Sequence, residues 1–172
     1  FATSRGYIID SEKTNYGMPH ENAHVDVQQL ADYIDSLSLP FRVRPYQLSG
    51  IQEGLKRKRA ILISPTGSGK SLIIYILVRY LKLKTLILVP TTSLVSQMYN
   101  DFREYGWDVA NNCHTVFAGR DKGSKLPVVI STWQSIYKMN QKYFEQYELE
   151  TSLYYDNITH YANIEIDFSS SL

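Results

Sequence analysis

Residues Ala60 to Ser71, reading Ala-Ile-Leu-Ile-Ser-Pro-Thr-Gly-Ser-Gly-Lys-Ser, constrain this chain more than any other stretch. Ala60 to Ile63 is short and aliphatic, with Lys56-Arg57-Lys58-Arg59 before it and Pro65 and Gly67 after it. That pattern predicts a buried parallel strand running into a turn. The apolar run Leu72 to Val78 predicts a helix that begins at Lys70. Gly67 and Gly69 let the backbone curl until successive N–H groups point into one concavity, where they and the helix N-terminus hold phosphate oxygens. Pro65, Thr66, Gly67, Ser68, Gly69, Lys70 and Ser71 are therefore candidate ATP ligands, with Lys70 reaching the β- and γ-phosphates and the Ser71 hydroxyl on Mg²⁺. Lys70 and Ser71 are also the candidate catalytic pair. Ser64 stands where such a loop usually has its first glycine, so the match rests on the Gly-Lys-Ser half and its strand, turn and helix setting. The competing reading is a Gly/Ser turn before an ordinary helix.

With 172 residues, 44% of them hydrophobic, the chain can bury the core of one α/β domain but not of two full nucleotide-binding lobes. Its 18 basic and 17 acidic side chains nearly cancel, so only local patches bear on nucleic acid. The single cysteine, Cys113, excludes an internal disulfide and leaves no Cys/His metal cluster, and the expected setting is a reducing cytoplasm. No segment reaches about 18 apolar residues and the start lacks a signal-peptide pattern, so neither membrane insertion nor secretion is expected. A first residue other than Met suggests part of a longer protein.

Along the chain, Gly6 to Asp10 reads as a short strand followed by polar loop. Val27, Leu30, Ala31, Ile34 and Leu37 recur at helical spacing after Asp26, and Pro40 closes that segment. A second amphipathic helix, roughly Pro45 to Arg57, carries Leu48, Ile51 and Leu55 on one face. It presents Arg44, Tyr46 and Gln47 just upstream of the glycine-rich loop. A Gln there can pair with adenine through donor and acceptor, with Tyr46 or Arg44 against the base; the alternative is a helix start with a surface Gln.

Lys84 to Val89 reads as a second buried strand ending at Pro90-Thr91-Thr92-Ser93, with Ser93 capping a helix from Leu94 to Tyr105. Trp107, Val109 and Val116 suggest one or two short strands around a turn at Asn111-Asn112. The loop from Ala118 to Lys125 holds Arg120, Lys122 and Lys125 with two glycines, either a solvated loop or a clamp for a DNA backbone. Pro127 to Ile130 reads as a third strand, and Ser131 to Ser135 as the cap of a helix extending towards Tyr147. Strands alternating with helices put their carboxyl-end loops on one edge, so Pro90, Thr91, Thr92, Gln97, Thr132, Trp133 and Gln134 are expected to share a rim with the glycine-rich loop. Hydroxyls and helix N-termini there suit nucleic-acid phosphates.

In this order, residues 41 to 147 resemble the first RecA-like lobe of superfamily 2 helicases, in particular the UvsW-type recombination helicases of phages. Arg44-Pro45-Tyr46-Gln47 is similar to that family's Q motif, Ser64 to Ser71 to motif I, Val89 to Val95 with Gln97 to motif Ia, and Ser131 to Ser135 to motif Ic. The resemblance implies a mostly parallel α/β sheet with helices on both faces and a small N-terminal appendage. The division expected is 1–40 as appendage or linker, 41–148 as the lobe, and 149–172 as a tail of different character. It implies ATP and Mg²⁺ as cofactors and an ATP-dependent DNA helicase in the intact protein. Such a motor acts on branched or forked DNA and RNA–DNA hybrids, partnered by a second RecA-like lobe, in the host cytoplasm if phage-encoded.

The family's Walker B strand carries Asp-Glu after motif Ic, but Leu153-Tyr-Tyr-Asp156 is followed by Asn157. Three explanations stay open: a tail joined from elsewhere in the parent protein, a truncated product, or a lobe that binds nucleotide without hydrolysing it. The fragment alone is expected to be inactive. A small-molecule kinase leaves Arg-Pro-Tyr-Gln and the hydroxyl-rich turns unexplained.

Overall fold

The computed structural model describes residues 25–57, 59–117, 121–156 and 161–168. The expected strand at Gly6 to Asp10 lies outside them. Asp26 caps α1 (Val27–Ser36), its carboxylate accepting from Gln28 N at 2.8 Å, and Leu30 and Ile34 form the buried face. Pro45 opens α2 (Pro45–Lys56), where its fixed φ suits the first turn and its missing N–H costs nothing. Then follow β1 (Arg59–Pro65), α3 (Lys70–Leu81), β2 (Thr85–Val89), α4 (Thr92–Glu104), α5 (Val109–Asn112), β3 (Cys113–Val116), β4 (Val128–Thr132), α6 (Trp133–Ile136), α7 (Gln141–Phe144), β5 (Leu149–Asp156) and β6 (Tyr161–Phe168).

One sheet of order β1-β6-β5-β2-β4-β3 holds all six strands. Strands β5, β2, β4 and β3 are mutually parallel, while β6 runs antiparallel to both β5 and β1. β1 therefore points the same way as the four parallel strands, and its carboxyl end shares their edge.

Period-two alternation assigns the sheet's two faces. Ile87, Val89, Val128, Ile130, Leu149 and Ile166 meet α1 to α5 in the main core. Leu86, Val116 and Val129 meet Ile136, Tyr143 and Tyr147 from the α6–α7 region on the other face. Leu72 to Val78 is buried throughout, which is why α3 reads as apolar all round instead of striped.

Several sequence expectations need correction. β1 is not a buried strand between parallel neighbours: its hydrogen-bonded partner is antiparallel, and Ile61 and Ile63 remain 44% and 70% exposed. The β5–β6 hairpin takes the place between β1 and β2. The sheet consequently runs on past residue 148, pairing Thr85 with Leu149 and Leu88 with Ser152. Asn111 and Asn112 both hydrogen-bond Asp108 and close the single helical turn α5, where strand and turn were expected. The long helix expected up to Tyr147 is broken in two, because Asn140 caps a new start by accepting from Tyr143 N at 3.1 Å.

Candidate functional site

Between β1 and α3 the backbone turns through Gly67 and Gly69, at φ 78° and 80°, and Gly69 caps α3. The first N–H groups of α3 lack helical acceptors and open onto this turn, the arrangement that binds anions. A Cβ on Gly69 would stand 2.3 Å from Gln47 Nε2, the far end of a side chain that would have to shift, and the positive φ favours glycine there.

Lys70 is only 8% exposed. Its ammonium donates to Ser64 O at 3.0 Å, Pro65 O at 2.6 Å and Ser68 Oγ at 3.3 Å. Burial holds its pKa below the ordinary lysine value. The Ser64 hydroxyl, in the place of the usual glycine, hydrogen-bonds the Ser68 hydroxyl, so the substitution adds a tie across the loop.

Gln47 joins α2 to the same loop. Its Nε2 donates to Ser68 O at 2.8 Å and its Oε1 accepts from Arg44 N at 2.9 Å. Tyr46 OH donates to Ser68 O as well, at 3.0 Å. With donor and acceptor engaged on backbone and the residue 6% exposed, Gln47 braces the loop and does not present the expected bidentate edge to a base. Arg44 and Tyr46 flank a groove of about 630 Å³ beside Ser68, and there the planar groups remain available to a ring.

On the loop's other side, a cavity of about 460 Å³ is lined by Thr66, Gly67, Lys70, Ser71, Gln97 and Asp101, among others. Ser71 Oγ lies 2.9 Å from Tyr105 OH. Asp101 lines the same cavity, and burial, with Glu104 beside it, raises its pKa. Sequence reading missed Asp101, although a signal existed: it falls between Met98 and Phe102 on the inward stripe of α4, where a carboxylate is out of place. Orphan N–H groups, an ammonium, a hydroxyl and a neighbouring carboxylate around one cavity form a donor set that fits a nucleotide phosphate with Mg²⁺.

The parallel register aligns Val89 with Thr132, so the turns after β2 and β4 are neighbours on the edge that also carries the loop. Thr91, not Ser93, caps α4: its hydroxyl accepts from Leu94 N at 3.3 Å and pairs with Ser93 Oγ. Pro90, Thr91, Thr92, Gln97 and Gln134 are exposed, as is Trp133 at 54%. Thr132 is 3% exposed and its hydroxyl is paired with Ser135 Oγ at 2.8 Å, so its expected phosphate contact is not presented at the surface.

Lys122 and Lys125 are exposed but do not belong to the rim. Their segment returns from β3 to the amino end of β4, and Asp121 O meets His114 Nε2, which sits one residue into β3. Lys125 is tethered within about 10 Å of Val128, at the opposite edge, by three residues of chain. Arg120 lies outside the described residues. Burial pushes the Cys113 thiol up to about 12.

Comparison with known proteins bears on these features together. The family model for the type III restriction enzyme, res subunit, matches residues 40–157. Over 116 residues the chain is 39% identical to the ATP-dependent DNA helicase uvsW of Enterobacteria phage T4, an alignment covering 62% of this chain and 23% of that protein. It is 34% identical over 85 residues to the DNA 3'-5' translocase XPB2 of Sulfurisphaera tokodaii, covering 46% of this chain and 19% of that one. A crystal structure of the UvsW helicase from bacteriophage T4 superposes with a TM-score of 0.67 at 32% identity, over 78% of this chain and 51% of its own. The chain thus spans less than a quarter of the two relatives matched by sequence.

Proposed function

The chain belongs to the type III restriction enzyme res-subunit family, as a first RecA-like lobe of superfamily 2, and on that premise we propose that it is the ATP-binding lobe of a DNA helicase or translocase. The observation carrying this reading is the shared edge: the phosphate-type loop and the exposed turns after β2 and β4 follow the carboxyl ends of strands that run in one direction, and Thr66, Gly67 and Pro90 line one cavity. Lys70 exchanges its bonds to Ser64 O and Pro65 O for phosphate oxygens, and the first turn of α3 holds the same anion through its N–H groups. Ser71 would hold Mg²⁺, which would supply charge neutralisation at the phosphates.

Asp156 ends β5 at the loop's own edge, since Tyr161 is paired with both Asp156 and Pro65. One DNA strand passes over Pro90, Thr91, Thr92 and Gln97, with Trp133 and Gln134 beyond. Backbone contacts there give affinity without sequence preference, and the exposed indole offers a stacking face. In the intact protein the substrate is branched or forked DNA, the second lobe closes on the nucleotide, and the setting is cytoplasmic. No helix among the described residues is long and apolar enough to cross a membrane.

A second reading is favoured by Asn157, which follows Asp156 where the motor needs a glutamate to orient the attacking water. In that case the lobe binds nucleotide and DNA without turnover. ATPase measurement on the intact protein with and without DNA separates the two. DNA-stimulated hydrolysis abolished by Lys70→Ala supports the motor; nucleotide binding with no hydrolysis under either condition supports the second reading. Absence of both binding and hydrolysis contradicts the proposal.

A further inference from the structure

The short segment after β4 leaves two large aromatic side chains in solvent: Trp133 is 54% exposed and Tyr137 51%. Tyr137 N donates to Trp133 O at 2.9 Å and closes a helical turn, so both side chains stand on one face of α6. Ile136 is buried with Tyr143 and Tyr147. The helix is therefore anchored already, and its aromatic face is not needed for packing. Phe144 backs the indole, with ring centroids 6.2 Å apart and planes tilted by 35°. The Lys138 ammonium lies 5.5 Å from the Tyr137 ring centroid. Apolar residues scattered singly over a surface need no explanation, but an adjacent pair of exposed rings on one anchored turn does.

Charge decides what fits this face. Lys138 and Lys142 are exposed, and no carboxylate occurs from Trp133 to Phe144. The next acid, Glu145, accepts from Gln141 Nε2 at 2.7 Å. The face also begins at the rim, because Thr132 at the carboxyl end of β4 is paired with Val89, one residue before the exposed Pro90. Rings interleaved with cations, continuous with the edge read as the DNA path, suit a strand whose bases are unpaired: the bases stack on the rings and the ammonium groups take the phosphates. A duplex keeps its bases stacked on one another and offers the rings no face. We propose that α6 and the start of α7 form a base-stacking platform for single-stranded DNA, with Trp133 and Tyr137 each stacking on an unpaired base and Lys138 and Lys142 neutralising the adjoining phosphates. The platform rests on the DNA reading of the rim and deepens it, since bases and not the backbone alone become a source of affinity.

The test is an anisotropy titration of the full chain into three fluorescein-labelled probes of one length: single-stranded oligo-dT, an abasic strand with the same backbone, and a duplex. Wild type should bind oligo-dT about tenfold or more tightly than the abasic strand. Trp133→Ala and Tyr137→Ala should each lose about fivefold to a hundredfold on oligo-dT, with no loss on the abasic strand or the duplex. Trp133→Phe keeps an aromatic face and most of the affinity. Replacing Lys138 and Lys142 by Ala should flatten the slope of log affinity against log salt by about 0.7 for each lysine. Equal losses on the oligo-dT and abasic strands mark a packing or charge role and overturn the platform, as does wild-type affinity in both alanine variants. Normal DNA binding together with altered sedimentation of those variants makes the face an interface between copies of the chain, which overturns it too. A thermal melt checks each variant; should Trp133→Ala fail to fold, Tyr137→Ala, whose ring meets Lys138, carries the same comparison. Wild type that binds none of the probes contradicts the DNA reading itself, whereas equal binding to all three leaves that reading standing and removes the platform alone.

Discussion

Gln47 shows how one residue changes meaning once its partners are known. An amide before a phosphate loop suggests recognition of adenine, yet here its Nε2 and Oε1 tie Ser68 O to Arg44 N. Gln47→Ala leaves that buried carbonyl with Tyr46 as its remaining side-chain donor and frees the N–H of Arg44. Losing partners for buried polar groups costs about 1–3 kcal/mol. The loss should fall on the loop, so ATP and GTP affinities decline by the same factor, measurable by parallel competition titrations. A selective loss of ATP would restore the base-reading role. Nothing in the one-dimensional string separates these readings, because Gln47 and Ser68 meet only after α2 folds back across β1.

At the scale of elements, local chemistry made β1, α3, β2, α4 and β4 legible. Aliphatic runs bounded by Gly, Pro or hydroxyl residues announce buried strands, and Gly69 with positive φ starts α3 where the sequence places it. Strand order was not legible, since the neighbour of β1 arrives about a hundred residues later in the chain. The stretch after 148 holds no continuous aliphatic run, only the alternation of Ala162, Ile164, Ile166 and Phe168, a strand signal that the sequence reading missed; Leu149, Thr151 and Ile166 are buried. At its far end α3 closes on Lys82, a non-glycine residue at φ 55° whose N–H caps Val78 O. A side chain in that left-handed region is strained. Lys82→Gly should therefore stabilise the fold by about 0.5–1 kcal/mol, read from urea unfolding at constant m-value. A lower midpoint would show that the lysine side chain, and not backbone strain, dominates this cap.

On the scale of the whole molecule, the parallel strands fix which parts can cooperate. Their carboxyl ends gather the loop, Thr91, Thr92 and Trp133 on one edge, whereas the segment holding Lys122 and Lys125 is drawn towards the other by its junction with Val128. Replacing Lys122 and Lys125 together by Ala should thus leave the slope of log affinity for single-stranded DNA against log salt unchanged. Each lost phosphate contact would flatten that slope by about 0.7. A salt series showing such flattening would bring the DNA path over the β3–β4 connection and away from the rim.

The account depends most on the loop before α3 being a phosphate site, and calorimetric titration of Mg-ATP into the chain and into Lys70→Ala tests it directly. The ammonium is predicted to move from Ser64 O and Pro65 O onto phosphate oxygens, a charge-assisted interaction worth about 1.5–3 kcal/mol. The wild-type chain should bind at one site, and Lys70→Ala should weaken that binding by about tenfold to a hundredfold while its melting curve stays cooperative. Equal affinity in a folded Lys70→Ala variant, or no binding by the wild type, would contradict the assignment.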